Sequence, residues 1–379
     1  MRSHLPMSRR DGCSDPMAKR SLIPLQGGRV LITLVTACLI CAGCEGLSPA
    51  PSVPPSTGEA PPEIQVYFTA PSYPDSASTH QGTLEEPLID AIDAARSSID
   101  IAMYDFESAA VADAVVRAQQ RGIAVRLVTE TDYAGELGPE RLSSAGIPVV
   151  TDGADPYMHN KILIIDGEQV WTGSWNIKES ETYRNDNNAI VIHSVELAEN
   201  YTTEFEEMFV ERQFGSTSPD RVPHPRIQLA DGVVETIFES EGNARQRIIQ
   251  LIRDAESSVY VMAFVLTDDG IAGALVDRHR AGVDVAVVIE TRNTDATGSD
   301  FANLRKAGVD ILEDGNPYIM HHKVIVVDKS IVVTGSYNFT SSAANYNDEN
   351  VLILHSPAVA EQYLEEFDRV YQQALEAQP

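Results

Sequence analysis

The sequence predicts an α/β fold that is built twice in one chain. Segments with the apolar pattern of β-strands alternate with segments whose apolar residues recur at helical spacing, and this alternation is typical of α/β architecture. The order of these segments in residues 63–215 recurs in residues 233–379. Two short motifs, one in each half, also match residue for residue, so we interpret the chain as an internal duplication.

The first half begins with a predicted strand at residues 64–69. A predicted helix at residues 84–98 follows, with Leu88 and Ile92 on one face, and then a strand at residues 97–104. The second half repeats this order with a strand at 234–238, a helix and a strand at 257–264. Each half closes with a long helix, and the preceding serines, Ser194 and Ser356, are suited to cap it.

The N-terminal region carries the four cysteines, at positions 13, 38, 41 and 44. The chain after residue 44 has no cysteine, so it cannot be a disulfide scaffold or hold a thiolate metal site. Residues 1–43 contain basic residues followed by a short apolar run, which predicts a secretory signal peptide. Ala42-Gly43 before Cys44 resembles a bacterial lipoprotein signal, in which Cys44 would carry the lipid. A plain cleaved signal or an uncleaved anchor is the alternative.

The rest of the chain divides by composition. Residues 44–62 are rich in Pro and Ser and predict a tether. Residues 63–215 form the first repeat, 216–232 a linker and 233–379 the second repeat. We expect a monomer in the bacterial cell envelope, anchored by lipid at the outer membrane or the periplasmic face.

The charge is strongly acidic, with 28 basic and 56 acidic side chains and a formal net charge of −28. Removal of residues 1–43 would make it more acidic, because that segment holds more basic than acidic residues. Such a field repels nucleic acid at long range and disfavours a non-specific nuclease. A local basic groove could still survive within a negative total.

The repeated motif reads H-x-K, four residues, D, six residues and G-S-x-N. Its two copies are His159, Lys161, Asp166, Gly173, Ser174, Asn176 and His321, Lys323, Asp328, Gly335, Ser336, Asn338. Residues two apart on a strand share a face, so each His lies beside its Lys. An Asp-Gly turn at 166–167 predicts a hairpin that returns the Ser and Asn to the same place.

This set of side chains suits a phosphodiester, whose charged oxygens are stabilised by fixed donors. Only five lysines follow residue 44, and two of them occupy equivalent motif positions. A metal site fits less well, because the lysines would repel a divalent cation and no carboxylate spacing resembles a ligand set.

The motif pair resembles the signature of the phospholipase D superfamily, and the resemblance covers residues 63–377. It implies two repeats packed with pseudo-two-fold symmetry around one active site, without a metal or cofactor. It also implies double displacement, in which one His attacks phosphorus and the other protonates the leaving alcohol.

The resemblance implies a role for each motif residue. His159 is assigned as nucleophile and His321 as general acid. The phosphoryl oxygens would be held by Lys161, Lys323, Asn176 and Asn338, with Ser174 and Ser336 hydrogen-bonding nearby. Asp166 and Asp328 belong to the catalytic signature, but we expect them to serve the turn and contacts between the halves.

One difference between the copies concerns the carboxylate that often supports a catalytic His in this superfamily, thirteen residues after the motif Ser. The second copy has Glu349 there, and the first has Asn187. We expect Glu349 to support His159 across the interface, since a carboxylate makes an imidazole more basic. The alternative is that Glu349 only packs and Asp186 substitutes locally.

The favoured substrate is a phospholipid, because the envelope signal and the acidic body both point to it. The expected reaction is hydrolysis of the head-group phosphodiester, with transphosphatidylation when another alcohol takes the intermediate. A metal-independent endonuclease and a cardiolipin synthase-like transferase are the alternatives, and a non-catalytic anchored binding protein is a hypothesis of another class.

Overall fold

A computed structural model describes residues 63–80, 84–153, 157–239 and 242–378. The predicted signal peptide, Cys44 and the tether lie outside these residues. None of the helices in the described ranges is both long and apolar enough to cross a membrane.

The first repeat contains seven strands and five α-helices within the described ranges. They are β1 Ile64–Phe68, α1 Glu85–Ala94, β2 Ser98–Met103, α2 Ala109–Gln120, β3 Ala124–Thr129, α3 Leu137–Ser144, β4 Val149–Thr151, β5 Lys161–Ile165, β6 Gln169–Gly173, α4 Glu179–Tyr183, β7 Asn188–His193 and α5 Val195–Glu206.

The second repeat follows the same order and adds one strand, β8, before it. Its elements are β8 Arg226–Leu229, β9 Gly232–Glu239, α6 Ala244–Asp254, β10 Ser258–Ala263, α7 Asp269–Arg280, β11 Asp284–Ile289, α8 Phe301–Ala307, β12 Asp310–Glu313, β13 Lys323–Val327, β14 Ile331–Gly335, α9 Ser341–Asn345, β15 Glu349–His355 and α10 Pro357–Ala377.

The two sheets have the same strand order. The first runs β1-β7-β6-β5-β2-β3-β4, and the second runs β8-β9-β15-β14-β13-β10-β11-β12. Strands β2, β3 and β4 pair in parallel, whereas the hairpin strands pair antiparallel. The predicted α/β duplication is therefore confirmed. The expected linker at 216–232 contains β8, which pairs with β9 at the edge of the second sheet.

The core has three parts. One cluster of apolar side chains lies between the two sheets and includes residues of both repeats together with α5 and α10. The other two clusters pack the outer helices of each repeat onto the far face of its own sheet. Ser194 and Ser356 cap α5 and α10 by accepting hydrogen bonds from Leu197 and Val359, as predicted. The shared inner cluster holds the two repeats face to face.

The first hairpin turn has the predicted position. Asp166 and Gly167 both have positive φ, at 57° and 64°, the pattern of a type I′ turn. The Asp166 carboxylate accepts hydrogen bonds from the main-chain N–H groups of Arg96, Ser97 and Ser98. These contacts end α1 at Ala94 rather than at the predicted residue 98 and start β2.

Asp166→Asn should lower the free energy of unfolding by roughly 1–3 kcal/mol, because the charged acceptor of three N–H groups is lost. Burial raises the pKa of Asp166, but the N–H donors outweigh it and lower the pKa from 3.8 to about 2. Its contribution is thus complete above pH 3.8 and lost as the pH falls through about 2. Urea unfolding from pH 7 to pH 2 measures this difference. Asp328→Asn should show the same pH dependence. If the difference in unfolding free energy between the variant and the original protein grew on acidification, the explanation would be contradicted.

Candidate active site

The glycine of each G-S-x-N sequence allows the hairpin to press against the next strand. A Cβ atom on Gly173 would lie 2.3 Å from the carbonyl oxygen of Asn188, and one on Gly335 would lie 2.2 Å from that of Asn350. Both glycines also have φ near +140°, which side chains disfavour. The close approach lets Ser174 N–H donate to Asn188 at 3.0 Å.

The two motif histidines are held by main-chain bonds across the repeat interface. The N–H of His159 donates to the carbonyl of Asp348 at 3.0 Å, and the N–H of His321 donates to the carbonyl of Asp186 at 2.9 Å. Asp348 directly precedes β15, and Asp186 lies two residues before β7. Each histidine is therefore positioned by the opposite repeat, and the two motifs meet at one interface.

The residue after each histidine continues this interface. Asn160 accepts a hydrogen bond from Asn350 at 2.9 Å, and His322 Nδ1 lies 3.3 Å from the side-chain oxygen of Asn188. His322 is fully buried, and its Nε2 lies 2.9 Å from Glu366. Both nitrogens of His322 are thus occupied, so His321 is the histidine of this pair that is available for chemistry.

His159 has a fixed tautomer. Its Nδ1 lies 2.8 Å from Oε2 of Glu349, which also accepts a hydrogen bond from Ser336 Oγ at 2.6 Å. A carboxylate only accepts, so Nδ1 carries the proton and Nε2 keeps its lone pair. Lys161 Nζ lies 3.3 Å from that Nε2. The expected contact between Glu349 and His159 across the interface is present.

His321 has two acceptors at Nδ1 instead of one. The side-chain oxygen of Asn187 lies at 3.0 Å and Oε2 of Glu181 at 3.3 Å. Sequence reasoning missed Glu181. The alternative that Asp186 substitutes for a carboxylate at position 187 is not supported, because its carboxylate contacts Arg369 and Asn316. Both histidines therefore have a carboxylate beside Nδ1.

The motif lysines are buried, with 2% of each residue exposed. Lys161 Nζ donates to the carbonyl of His159 at 2.9 Å, and Lys323 Nζ donates to that of His321 at 2.8 Å. Burial lowers the pKa of Lys161 to about 8. The pKa of Lys323 is well below its ordinary value, first through burial and then through the charge of Lys161. A phosphoryl anion between them would relieve this repulsion.

The pKa values of both histidines and of both supporting carboxylates are lowered, but for different reasons. Burial lowers the pKa of His159, although Glu349 opposes the shift, and lowers that of His321 to about 4 despite Glu181. Burial raises the pKa of Glu349, but His159 and Lys161 outweigh it and hold the pKa below its usual range. The pKa of Glu181 is lowered in the same way by His321 and amide donors. These shifts favour the ionised form of both carboxylates and the neutral form of both imidazoles.

The motif Ser and Asn residues support these groups. Ser174 Oγ donates to Asn187 at 2.9 Å, and Asn176 donates to Glu181 at 3.3 Å. The buried Oδ1 atoms of Asn176 and Asn338 have no hydrogen-bond partner within the described part of the chain. The same unpaired group at equivalent places in both repeats indicates a polar position that a bound substrate could complete.

Asp166 and Asp328 lie away from this cluster, which corrects their place in the catalytic set. Asp166 follows the five-residue strand β5 and is roughly 16 Å along the strand from Lys161. Its contacts, and those of Asp328 with residues 256–258, stay within their own repeat. The prediction that Asp166 and Asp328 contact the opposite half is therefore wrong, and both residues serve the turn of their own hairpin.

The site thus combines two imidazoles whose Nδ1 atoms are hydrogen-bonded, two buried lysine side chains and several fixed amides. Within the described ranges, no three His, Cys, Asp or Glu residues are grouped to hold a metal ion. The available chemistry is nucleophilic attack and proton transfer by imidazole nitrogen on an anionic substrate.

Comparisons with known proteins agree with this geometry. The family described as "Cardiolipin synthase, PLD-like domain" matches residues 88–209 and again 248–371. A phospholipase D of Rickettsia bellii is 34% identical over 150 residues, which cover 39% of this chain and 75% of that protein. The human mitochondrial cardiolipin hydrolase is 35% identical over 131 residues, which cover 35% of this chain and 52% of that protein.

A solved structure shares the fold over most of the chain. The phosphatidylserine synthase of Haemophilus influenzae superposes with a TM-score of 0.60 at 13% identity, covering 82% of this chain and 86% of its own. The family match covers both repeats, and the relatives support phosphodiesterase activity at the level of the superfamily. The chain therefore belongs to the phospholipase D superfamily and carries its PLD-like domain twice.

Proposed function

We propose that this protein hydrolyses the head-group phosphodiester of phospholipids through a phosphohistidine intermediate. One observation carries the proposal: histidines from opposite repeats each have Nδ1 bound to acceptors that include an ionised carboxylate. This arrangement leaves both Nε2 atoms for the reaction. His159 acts as nucleophile, because its contact with Glu349 is shorter than the contact of His321 with Glu181.

The first step transfers the phosphatidyl group to the protein. Nε2 of His159 attacks phosphorus, the bond from phosphorus to the head-group oxygen breaks, and Nε2 of His321 gives its proton to that oxygen. The negative phosphodiester raises the pKa of His321 on binding and so favours the protonated form. In the second step His321 takes a proton from water, whose oxygen attacks phosphorus and displaces His159, releasing phosphatidic acid.

The lysines and asparagines stabilise the charge that develops on the non-bridging oxygens. Lys161 and Lys323 are buried, and burial together with the charge of Lys161 lowers the pKa of Lys323, so a bound anion favours the charged form of both side chains. Donors fixed in a site that excludes water stabilise such charge without rearranging. Asn176 and Asn338 would contribute through their amide N–H groups, because their unpaired Oδ1 atoms are acceptors and cannot bind a phosphoryl oxygen.

The neighbouring charges favour a lipid over a nucleic acid. Lys178 pairs with Asp105 and Glu107 at 3.1 and 3.0 Å, and Arg184 pairs with Asp75 at 2.8 Å. These basic side chains on the loops beside the motifs are neutralised, whereas single-strand nucleic-acid binding uses a positive groove along the backbone. The relatives named phospholipase D and cardiolipin hydrolase support the same substrate class.

Two other activities use the same chemistry. An alcohol that replaces water gives transphosphatidylation, and phosphatidylglycerol in that place gives a cardiolipin synthase-like reaction. A metal-independent endonuclease is the second candidate, and the acidic net charge disfavours it. The lipid anchor on Cys44 and the envelope location belong to the proposal, because they would bring the site to its substrate.

The test uses the purified protein in EDTA with phosphatidylcholine, phosphatidylglycerol or cardiolipin in micelles, and with single-stranded DNA. We expect phosphatidic acid from phospholipid and, with added ethanol, phosphatidylethanol. Cardiolipin formed from phosphatidylglycerol would favour the transferase. Cleavage of DNA without release of any head group would overturn the phospholipid assignment, and His321→Ala serves as the inactive control.

A further inference from the structure

The two repeats carry their supporting carboxylates at different sequence positions. On strand β15 the second repeat has Glu349, where the first repeat has Asn187. On the short helix after G-S-x-N the first repeat has Glu181, where the second repeat has Ala343. Each repeat therefore has one carboxylate at this pair of positions, but in the first repeat the carboxylate is on α4 instead of β7.

Glu181 is held in place by amide groups. Its Oε2 accepts hydrogen bonds from Asn187 at 2.7 Å and Asn185 at 3.0 Å, and lies 3.3 Å from His321 Nδ1. Its Oε1 accepts from Asn176 at 3.3 Å. The side chain is 12% exposed, compared with 0% for that of Glu349. Glu181 is thus a nearly buried carboxylate aimed at the histidine of the opposite repeat.

We propose that Glu181 is the positioning residue of His321 and replaces the carboxylate that the first repeat lacks at position 187. Asn187 joins the two, because it donates to Glu181 and offers its oxygen to His321 at 3.0 Å. The proposal rests on the function proposed above, in which His321 is the general acid.

The arrangement gives the two histidines unequal support. Oε2 of Glu349 accepts short hydrogen bonds from both Ser336 Oγ and His159 Nδ1. The Oε2 charge of Glu181 is shared with two amide donors, and its contact with His321 is longer. A more weakly supported imidazolium is a stronger acid. His321 is therefore suited to give a proton to the leaving alcohol, and His159 is suited to attack.

The test compares two leaving groups. Release of head-group alcohol from phosphatidylcholine requires proton transfer from His321, whereas p-nitrophenolate leaves bis(p-nitrophenyl) phosphate without it. Glu181→Ala should lower kcat on phosphatidylcholine roughly 100-fold, at the lower end of what general acid catalysis contributes. The first-turnover burst of p-nitrophenolate should keep its rate within about threefold, since this step depends on His159. The basic limb of the kcat profile should move to lower pH, because His321 loses the charge that raises its pKa.

The repeat symmetry supplies a rescue. Glu181→Ala combined with Asn187→Glu reproduces in the first repeat the Ala343 and Glu349 pair of the second, and should restore kcat to within about tenfold of the original value. Glu181→Gln keeps the shape of the side chain and should show the same selective loss if Glu181→Ala does not fold. Glu179→Ala removes an exposed carboxylate from the same helix and should leave kcat unchanged.

Other results would overturn the proposal. A burst that slows as much as turnover in both Glu181 variants would assign Glu181 a merely structural role. A double variant that folds, by thermal unfolding, but recovers no kcat would show that the carboxylate does not act through His321. An unaltered chain that released neither p-nitrophenolate nor head-group alcohol would remove the proposed function itself, which is a different failure.

Discussion

Replacing His159 by alanine should abolish turnover and the covalent intermediate together. The imidazole of His159 supplies the nitrogen of the phosphorus–nitrogen bond. In the described site, the imidazole of His321 is the other one that has a carboxylate beside Nδ1. Loss of a nucleophile that works with a partner base costs roughly 10⁴-fold or more in kcat. The measurement is rapid quench at alkaline pH with radiolabelled phospholipid, followed by detection of labelled protein.

His193→Ala is the matched control for this experiment. His193 lies at the end of β7 in the same repeat and its Nε2 contacts Gln169 at 3.3 Å, away from the motif cluster. It should keep both the burst and the turnover. If His159→Ala still forms labelled protein while His321→Ala does not, the two histidines have the opposite roles and the assignment is wrong.

Replacing Glu349 by glutamine should lower kcat roughly 10²–10⁴-fold, in the range of catalytic proton transfer and of a lost orienting carboxylate. Glutamine can present an N–H group to His159 Nδ1 and so favour the wrong tautomer. Loss of the charge also lowers the pKa of His159, because Glu349 opposes the effect of burial. The acidic limb of the kcat profile, where protonation removes the nucleophile, should therefore move to lower pH.

This shift distinguishes Glu349 from Glu181, whose loss should move the basic limb. Glu239→Gln is the control, because Glu239 is a buried neighbour paired in register with Glu349 on β9. Burial raises the pKa of Glu239 to about 7, so less charge is lost on substitution. Its kcat should stay within about threefold of the original value. An equal loss in both variants would indicate general disturbance of the core.

Much of the fold and part of the site could be predicted because the sequence contains an internal duplication. A strand or a hairpin that appears in both copies is supported by two independent patterns, and Gly173 and Gly335 mark the same close approach. The contact between Glu349 and His159 was also foreseeable, since Asn187 replaces a carboxylate at the equivalent position. Comparison of the copies identified the difference between them.

Glu181 could not be predicted in this way, because its counterpart is Ala343 and no repeated pattern marks the position. Its role depends on how α4 places the side chain against His321 from the other repeat. The available signal was indirect: a missing carboxylate at Asn187, followed by a search for acidic residues nearby in the chain. A residue that compensates from another element is visible only in three dimensions.

Asp166 shows the opposite error. The motif groups it with His159 and Lys161 along the sequence, but an extended strand carries it to the far end of the hairpin. A sequence signature thus combines residues that act in chemistry with residues that hold the fold. Strand β8 was missed for a related reason, because a short edge strand in a Pro-containing segment carries little periodic signal.

The main-chain bonds that tie each motif histidine to the opposite repeat also determine how the centre is assembled. In a protein with one copy per chain, such a centre would form only when two molecules met, and it would fall apart on dilution. Here one covalent chain joins the copies, so their local effective concentration is fixed by the connection rather than by the amount of protein. The duplicated chain can therefore keep a complete centre even as a single isolated molecule.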